Sequence, residues 1–414
     1  MPLPYVYRVT KYDPADRDEH GHYTGDEDVV SDHGEVESAY LAAVEAFATD
    51  AGVDRLSVRE PQIPGLVHFG AEPPMRDFGL DGLFPGPVGF HDGAEIPLAT
   101  GLELVRVMLR DGGAWCRLEV EGVFAVHVGR DQYLYVGSNR PGEQAAARTR
   151  ALGLFPERLT ASPYDMDTDG EQQVQRPGDD EFWAALHWSV TSGRAGLLEE
   201  TYVEGASRRH RLTSDTIDSV RAGIAPRARL AVWPDLSSDI DAVLGVFPAD
   251  GLVEGVWQDE DGRIHGVVTD ESGYQELADR ISGAVAAALL SLYADERVPL
   301  SAAVMPDPDG VVRALWRTDP TPGDRSWAFR KTLGRGDIVT GTVSCIAEIG
   351  VTFVDLGGCV ALINLPELSW RHVDHPCDIL SVGQEINAKI LDIDPVRERV
   401  SLSLKALHEE RTTP

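Results

Sequence analysis

Between Arg330 and Leu407 the sequence alternates in short bursts separated by turn residues, and that pattern limits the fold more than any other feature of the chain. Asp337 to Cys345 places Val339, Val343 and Cys345 on one face and Ile338, Thr340 and Thr342 on the other, the period of a strand with one buried side. Gly341 interrupts it, as a strand bending round a barrel corner requires. Val351–Leu356 and Val360–Asn364 flank Gly357-Gly358, a hairpin signal. Pro366 to Ser369 is the length of one helical turn. Glu385–Ile393 and Arg399–Leu404 form a last pair across Asp394-Pro395-Val396-Arg397-Glu398, a turn in which proline needs no amide partner. Five short strands, with a cap between the third and fourth, predict a small closed β-barrel.

That layout is of OB type. The segment resembles the ribosomal S1 RNA-binding domain, an OB-fold variant found in translation and RNA-decay proteins. The resemblance spans 78 of 414 residues and implies RNA binding on the face of strands two and three, with bases stacked on aromatic rings and the backbone passing basic side chains. It assigns Phe353 to a family aromatic position and Lys389 and Arg399 to basic positions near the groove. Asn364 stands where the third strand often carries histidine, and Ile349 stands where phenylalanine is common. Lys331 and Arg371 complete the expected RNA-binding set. The segment Val351-Thr352-Phe353 is one residue longer than usual, which predicts a bulge there. Trp370, beside the capping turn, is expected to pack the cap.

The remaining 329 residues read as two further α+β units with antiparallel sheets. Residues 1–161 carry a strand at Tyr5–Val9, amphipathic helices over Glu35–Ala51 and Leu98–Leu109, and a meander of Trp115–Val120, Val123–Val128 and Tyr133–Val136. Residues 162–180 are acidic and punctuated by glycine, a linker. In residues 181–318, Gly255–Gln258 and Arg263–Val268 form a hairpin about Asp261-Gly262. The longest helix is expected from Ser272 or Tyr274 to Tyr293, and Val298–Val304 should pair with Val311–Trp316. Residues 319–329 read as a second linker, 330–407 as the barrel and 408–414 as a tail. Outside the barrel the chain resembles only uncharacterised bacterial proteins, which implies no function.

Charge separates the barrel from the rest. The net charge is −31, and lysine occurs only as Lys11, Lys331, Lys389 and Lys405. Residues 330–414 hold nine basic and twelve acidic side chains, a net of −3, which leaves −28 for residues 1–329. A body so acidic repels phosphate at long range. It suits solubility, or a surface that meets a basic protein or the ribosome.

Chemistry-bearing motifs are few. His20, His22 and His33 lie among Asp26, Glu27, Asp28 and Asp32, but a loop so polar throughout reads as solvated rather than as a metal centre. Asp165, Asp167, Asp169 and Gly170 imitate a calcium loop, yet Arg176 occupies the position of its closing glutamate. Glu199 and Glu200 are adjacent, so a strand sends them to opposite faces and they make no acid/base pair. Arg208-Arg209-His210-Arg211 is the only dense basic run outside the barrel; it offers a phosphate contact or a balance for nearby carboxylates. Cys116 and His127 read as core residues. Nucleophile, Walker and dinucleotide motifs are absent, so no catalytic residue, cofactor or metal is expected. The four cysteines form no CxxC pair, no apolar window reaches membrane length, and Met1 to Tyr5 lacks the features of a signal peptide; a reducing cytoplasm is expected, with no membrane contact.

Three functions suit this reading. The first is a non-catalytic RNA-binding protein of translation or RNA metabolism, acting through the barrel. The second is an acidic interaction or immunity-type protein that captures a basic protein partner. The third is an RNA-acting enzyme whose catalytic residues carry no readable motif.

Overall fold

The computed structural model describes residues 3–20, 22–25, 33–68, 78–84, 89–129, 133–163, 174–292, 297–314 and 320–409. The first segment contributes β1 (Tyr5–Thr10), α1 (Glu35–Ala51), β2 (Arg55–His68), β3 (Glu95–Pro97), α2 (Leu98–Leu109), β4 (Trp115–Val120), β5 (Phe124–Val128), β6 (Leu134–Ser138), α3 (Glu143–Ala151) and β7 (Phe155–Leu159). Tyr40, Val44 and Phe47 recur at helical spacing, and all are buried on the inner face of α1. The helix stops at Gly52, whose φ of +76° suits a residue without a side chain.

The second segment contributes α4 (Asp180–Thr191), β8 (Leu197–Arg211), α5 (Ile217–Gly223), β9 (Arg229–Trp233), α6 (Ile240–Leu244), β10 (Val253–Gln258), β11 (Ile264–Thr269), α7 (Tyr274–Ile281), β12 (Ala286–Ser291) and β13 (Ser301–Val304). The fold is α+β, with antiparallel pairing throughout both sheets except between β2 and β8. The larger sheet runs β13-β9-β8-β2-β4-β5-β6-β1-β7, with β3 on the side of β2, and the smaller runs β11-β10-β12. Strands from both sides of residues 162–180 therefore share one sheet. They also share one core, in which Phe47 and Leu118 join Phe182, Leu198 and Tyr202. Residues 164–173, including Asp165, Asp167, Asp169 and Gly170, lie outside the described residues.

Several expectations give way here. The helix expected to reach Tyr293 ends at Ile281, and Ala286–Ser291 becomes β12, paired along its length with β10. Alanine and leucine favour helix, but β10 needs a partner on its second edge, and pairing overrides a weak local preference. Val311–Ala314 forms no strand, and β13 pairs with β9 instead. The alternation predicts short strands at Glu199–Val203 and His210–Leu212, but β8 is one strand from Leu197 to Arg211. Fifteen extended residues would span about 50 Å, yet the Leu212 N–H donates to the Gly196 carbonyl at 2.7 Å. The strand thus doubles back about Gly205, whose φ is +91°.

The expected linker at 319–329 is α8 (Pro322–Lys331), begun by a capping box. The Asp324 N–H donates to the Thr321 hydroxyl at 3.1 Å and the Thr321 N–H to the Asp324 carboxylate at 2.9 Å. Asp324 is buried and also accepts from the Ala302 amide. Phe329 packs on the barrel core, and the Trp327 indole donates to Glu181 of α4 at 2.9 Å. The helix is a joint held on both sides.

The barrel itself comprises β14 (Ile338–Ile346), β15 (Val351–Asp355), β16 (Val360–Asn364), β17 (Glu385–Asp394) and β18 (Arg399–Ser403), closed in the order β14-β15-β16-β18-β17. Val343, Val354, Ile363, Ile386, Ile390, Val400 and Leu402 fill it, and Leu368 and Leu380 plug its end. Gly341 is required by contact: a Cβ there would lie 2.6 Å from Val354 Cγ1 and 2.8 Å from the Asp355 carbonyl oxygen. The bulge falls between Val343 and Cys345 of β14, not within Val351–Phe353. It inverts the alternation, so Cys345 is exposed and Ile346, rather than Cys345, turns to the core.

Candidate nucleic-acid interface

The strand pleat decides which barrel side chains a ligand can reach. On β15, Thr352 and Val354 are fully buried, so Phe353 between them points outward and is half-buried. Its lateral neighbours form the row Cys345, Phe353, Leu362 and Ser401. Arg399 lies two residues before Ser401 on β18, exposed and beside Val360 in the parallel register. Asn364 ends β16, exposed and paired with Val351. Phe353, Asn364 and Arg399 thus share one outer face, with a ring near its middle and a cation toward one end.

The other expected residues fall elsewhere. Lys389 faces outward on β17, but its partner on β14 is Ile338, seven residues from Cys345. On its other side Lys389 pairs with Ser403 of β18, two residues past Ser401, so at about 3.3 Å per residue it lies about 7 Å along that strand from the end of the Phe353 row. Arg371 is exposed beyond the cap, its N–H donating to the Ser369 hydroxyl at 3.0 Å. Lys331 sits at the end of α8 rather than on the barrel strands, ion-paired with Glu181 and 5.7 Å from the Trp327 ring centroid. Burial would raise the Glu181 carboxyl, but hydrogen bonds from Lys331 and Trp327 outweigh it and hold the pKa below its ordinary value.

Trp370 does not pack the cap. It is 62% exposed. Its indole N–H donates to the Lys405 carbonyl at 3.3 Å, and the Lys405 ammonium lies 5.0 Å from the ring centroid and 3.0 Å from Glu367. The chain after β18 crosses the turn after β16, which pairs a ring and a cation 35 positions apart. Neither was in the expected set; a tryptophan after a capping turn, with a lysine just past the last strand, was the available signal. Ile349, where family members often carry a ring, is 86% exposed at the β14–β15 turn.

Away from the barrel the candidate residues are engaged or buried. Arg208 lies 2.7 Å and His210 2.8 Å from Glu200, Arg209 lies 2.9 Å from Glu254, and Arg211 lies 2.9 Å from Asp235. The basic run balances carboxylates inside the fold. Glu199, on the opposite face from Glu200, accepts from the Ser207 hydroxyl and the Trp233 indole. Cys116 is buried, which pushes its thiol pKa up. His127 stacks on Tyr135, and burial, aided by Arg117, lowers its pKa to about 3. His20 and His22 are exposed beside Glu19 and Asp18, while Asp26, Glu27, Asp28 and Asp32 lie outside the described residues. Among the described residues no cluster of His, Cys, Asp and Glu is set to hold a metal ion, and no helix is long and apolar enough to cross a membrane.

Residues 332–405 match the S1 RNA binding domain. The small ribosomal subunit protein bS1 of Mycobacterium tuberculosis is 50% identical over 98 residues, 24% of this chain and 20% of that protein. The bS1 protein of Neisseria meningitidis is 41% identical over 92 residues, 22% of this chain and 16% of that protein. The solution structure of GSP13 from Bacillus subtilis covers 20% of this chain and 61% of its own, with 29% identity and a TM-score of 0.18. The chain thus spans about a fifth of the length of the ribosomal proteins it matches.

Proposed function

We propose that this protein binds single-stranded or structured RNA on the outer face of β15, β16 and β18, and serves translation or RNA metabolism in the cytoplasm without itself cleaving RNA. The observation that carries the reading is the coincidence of the S1 match with a closed barrel that presents Phe353, Asn364 and Arg399 on one face. An outward ring offers a sequence-tolerant stacking platform, and flanking cations hold the backbone. Trp370, Arg371 and Lys405 extend that surface beyond the cap, and Lys389 contributes from the adjoining strand β17. The likeness to bS1 supports ribosome association as the setting. The −28 body keeps RNA to the barrel rather than adding to the contact.

The test is titration of a fluorescein-labelled single-stranded RNA with the full-length protein at low salt. Saturable binding that Phe353→Ala weakens is expected, with the RNA intact afterwards in the presence of magnesium. No binding by the intact chain or by residues 320–414 defeats the proposal. Magnesium-dependent cleavage defeats its non-catalytic part.

A further inference from the structure

A cavity of about 180 Å³ lies where the body meets the barrel. Phe182 and Leu186 of α4 and Val232 of β9 form its apolar wall, and Arg176, Arg194 and Glu398 its polar part. Glu398 comes from the β17–β18 turn, so the barrel supplies one side.

Arg176 is 3% exposed. Three other arginines are comparably buried among the described residues, and each has a carboxylate close by. Arg59 lies 3.0 Å from Glu119, Arg209 lies 2.9 Å from Glu254, and Arg330 lies 3.3 Å from Glu398. Among the described residues the one carboxylate within ion-pair distance of Arg176 is Glu398, at 4.0 Å, with Asp324 and Glu181 acting from farther off, and Glu398 is already held by Arg330. The rings of Phe182 and Trp327 lie 5.5 and 5.6 Å from its guanidinium carbon. They offset part of the charge but accept no in-plane hydrogen bond. Arg176 Nε and Nη2 have no hydrogen-bond partner among the described residues. Those atoms bear the N–H bonds on one edge of the guanidinium and are closed off from solvent, so an anion in the cavity would meet the charge of Arg176 rather than that edge. A buried cation so weakly compensated is costly to hold.

Arg194 stands on the same cavity, exposed and stacked on Trp188 at 4.0 Å, with the Ser189 hydroxyl at 3.5 Å. No carboxylate lies within ion-pair distance of it among the described residues. In a chain of net charge −31, this cavity is lined by two guanidinium groups and one carboxylate, Glu398.

We propose that the cavity binds the phosphate or carboxylate group of a small metabolite, with Arg176 and Arg194 as its cationic partners. Ligand pockets for drug-sized molecules run to about 300–1,000 Å³, so this volume suits a compact anion rather than a nucleotide chain. The apolar wall leaves room for a short organic body beside the charged group.

The experiment uses the full-length protein with inorganic phosphate in one arm and malonate in the other, at ionic strength fixed with potassium chloride. Calorimetry and thermal unfolding should show saturable one-to-one binding of at least one anion. Preference for phosphate assigns a phosphate group to the natural ligand; preference for malonate assigns a carboxylate. Arg194→Ala alters an exposed residue, so the fold should persist, and affinity should fall about tenfold or more through loss of a charge-assisted hydrogen bond. Glu398→Gln removes the anionic wall and should tighten binding. Absence of saturable binding by either anion overturns the proposal, and so does an affinity that Arg194→Ala leaves unchanged.

Discussion

The salt dependence of RNA binding is limited by the cations the barrel exposes. Arg371 and Arg399 are exposed and Lys389 is half-buried on the outer surface, whereas Lys331 is held by Glu181. Three cations meeting three phosphates give log K against log salt a slope of about −2, at about −0.7 per phosphate of a single strand. Raising potassium chloride from about 50 to about 200 mM should then weaken binding about sixteenfold. The body adds no dense cationic run, because Arg208, Arg209, His210 and Arg211 are paired with Glu200, Glu254 and Asp235. Its −28 charge adds a repulsion that salt screens over about 10 Å at 0.1 M. Full-length protein should therefore bind more weakly than residues 320–414 at low salt, and the two should converge as salt rises. The decisive perturbation is Lys389→Ala with Arg399→Ala, which should reduce the slope to about −0.7. Fluorescence anisotropy with a labelled oligonucleotide reads the slope, and circular dichroism checks the fold. A wild-type slope steeper than about −4, or one the double variant leaves unmoved, would refute this assignment of the backbone path.

Phe353→Ala should weaken RNA binding about ten- to a hundredfold, from about 1–3 kcal/mol of stacking per base, and more than Trp370→Ala does, because Lys405 already lies over the Trp370 ring; titration with both variants shown folded decides the ranking. Lys331→Ala should change RNA affinity less than about twofold, since its ammonium is engaged by Glu181 away from the barrel strands; a larger loss by the same assay would return Lys331 to the groove. Glu200→Gln leaves Arg208 and His210 without their charge partner at a fully buried position, and should cost about 3–5 kcal/mol at neutral pH in urea unfolding. Burial raises the Glu200 pKa, but hydrogen bonds from His210 and Arg208 outweigh it and leave it below its ordinary 4.5. A carboxyl lowered by folding stabilises fully above its unfolded value and loses that contribution as pH falls through the folded one. Wild type and variant should thus converge as pH drops below about 4.5; curves that stay parallel would mean Glu200 does not carry the effect.

The barrel was legible because its signals are local. Alternation, the Gly357-Gly358 and Asp394–Glu398 turns and the Gly341 interruption each act over a few residues, and they placed five strands to within about two residues of their observed ends. Phe353 could be assigned outward for the same reason: its neighbours Thr352 and Val354 are the ones buried. The bulge at Val343/Cys345 was enough to turn Cys345 to solvent, since side-chain facing depends on every preceding pairing. Elsewhere the deciding partners are remote in sequence. Ala286–Ser291 carries a helical composition, and β10 made it a strand. Residues 162–180 read as a boundary, yet β8 pairs with β2 across it. Arg208 to Arg211 read as a phosphate contact or a balance for nearby carboxylates, and the fold chose the second by bringing Glu200, Glu254 and Asp235 to it; Trp370 reads as a cap residue, but its exposed ring meets Lys405. By itself the sequence determined the strand periods and turns, whose physics is short-range. The tertiary structure decided which edges pair and which charges cancel, because those energies belong to contacts that exist only once distant segments have met.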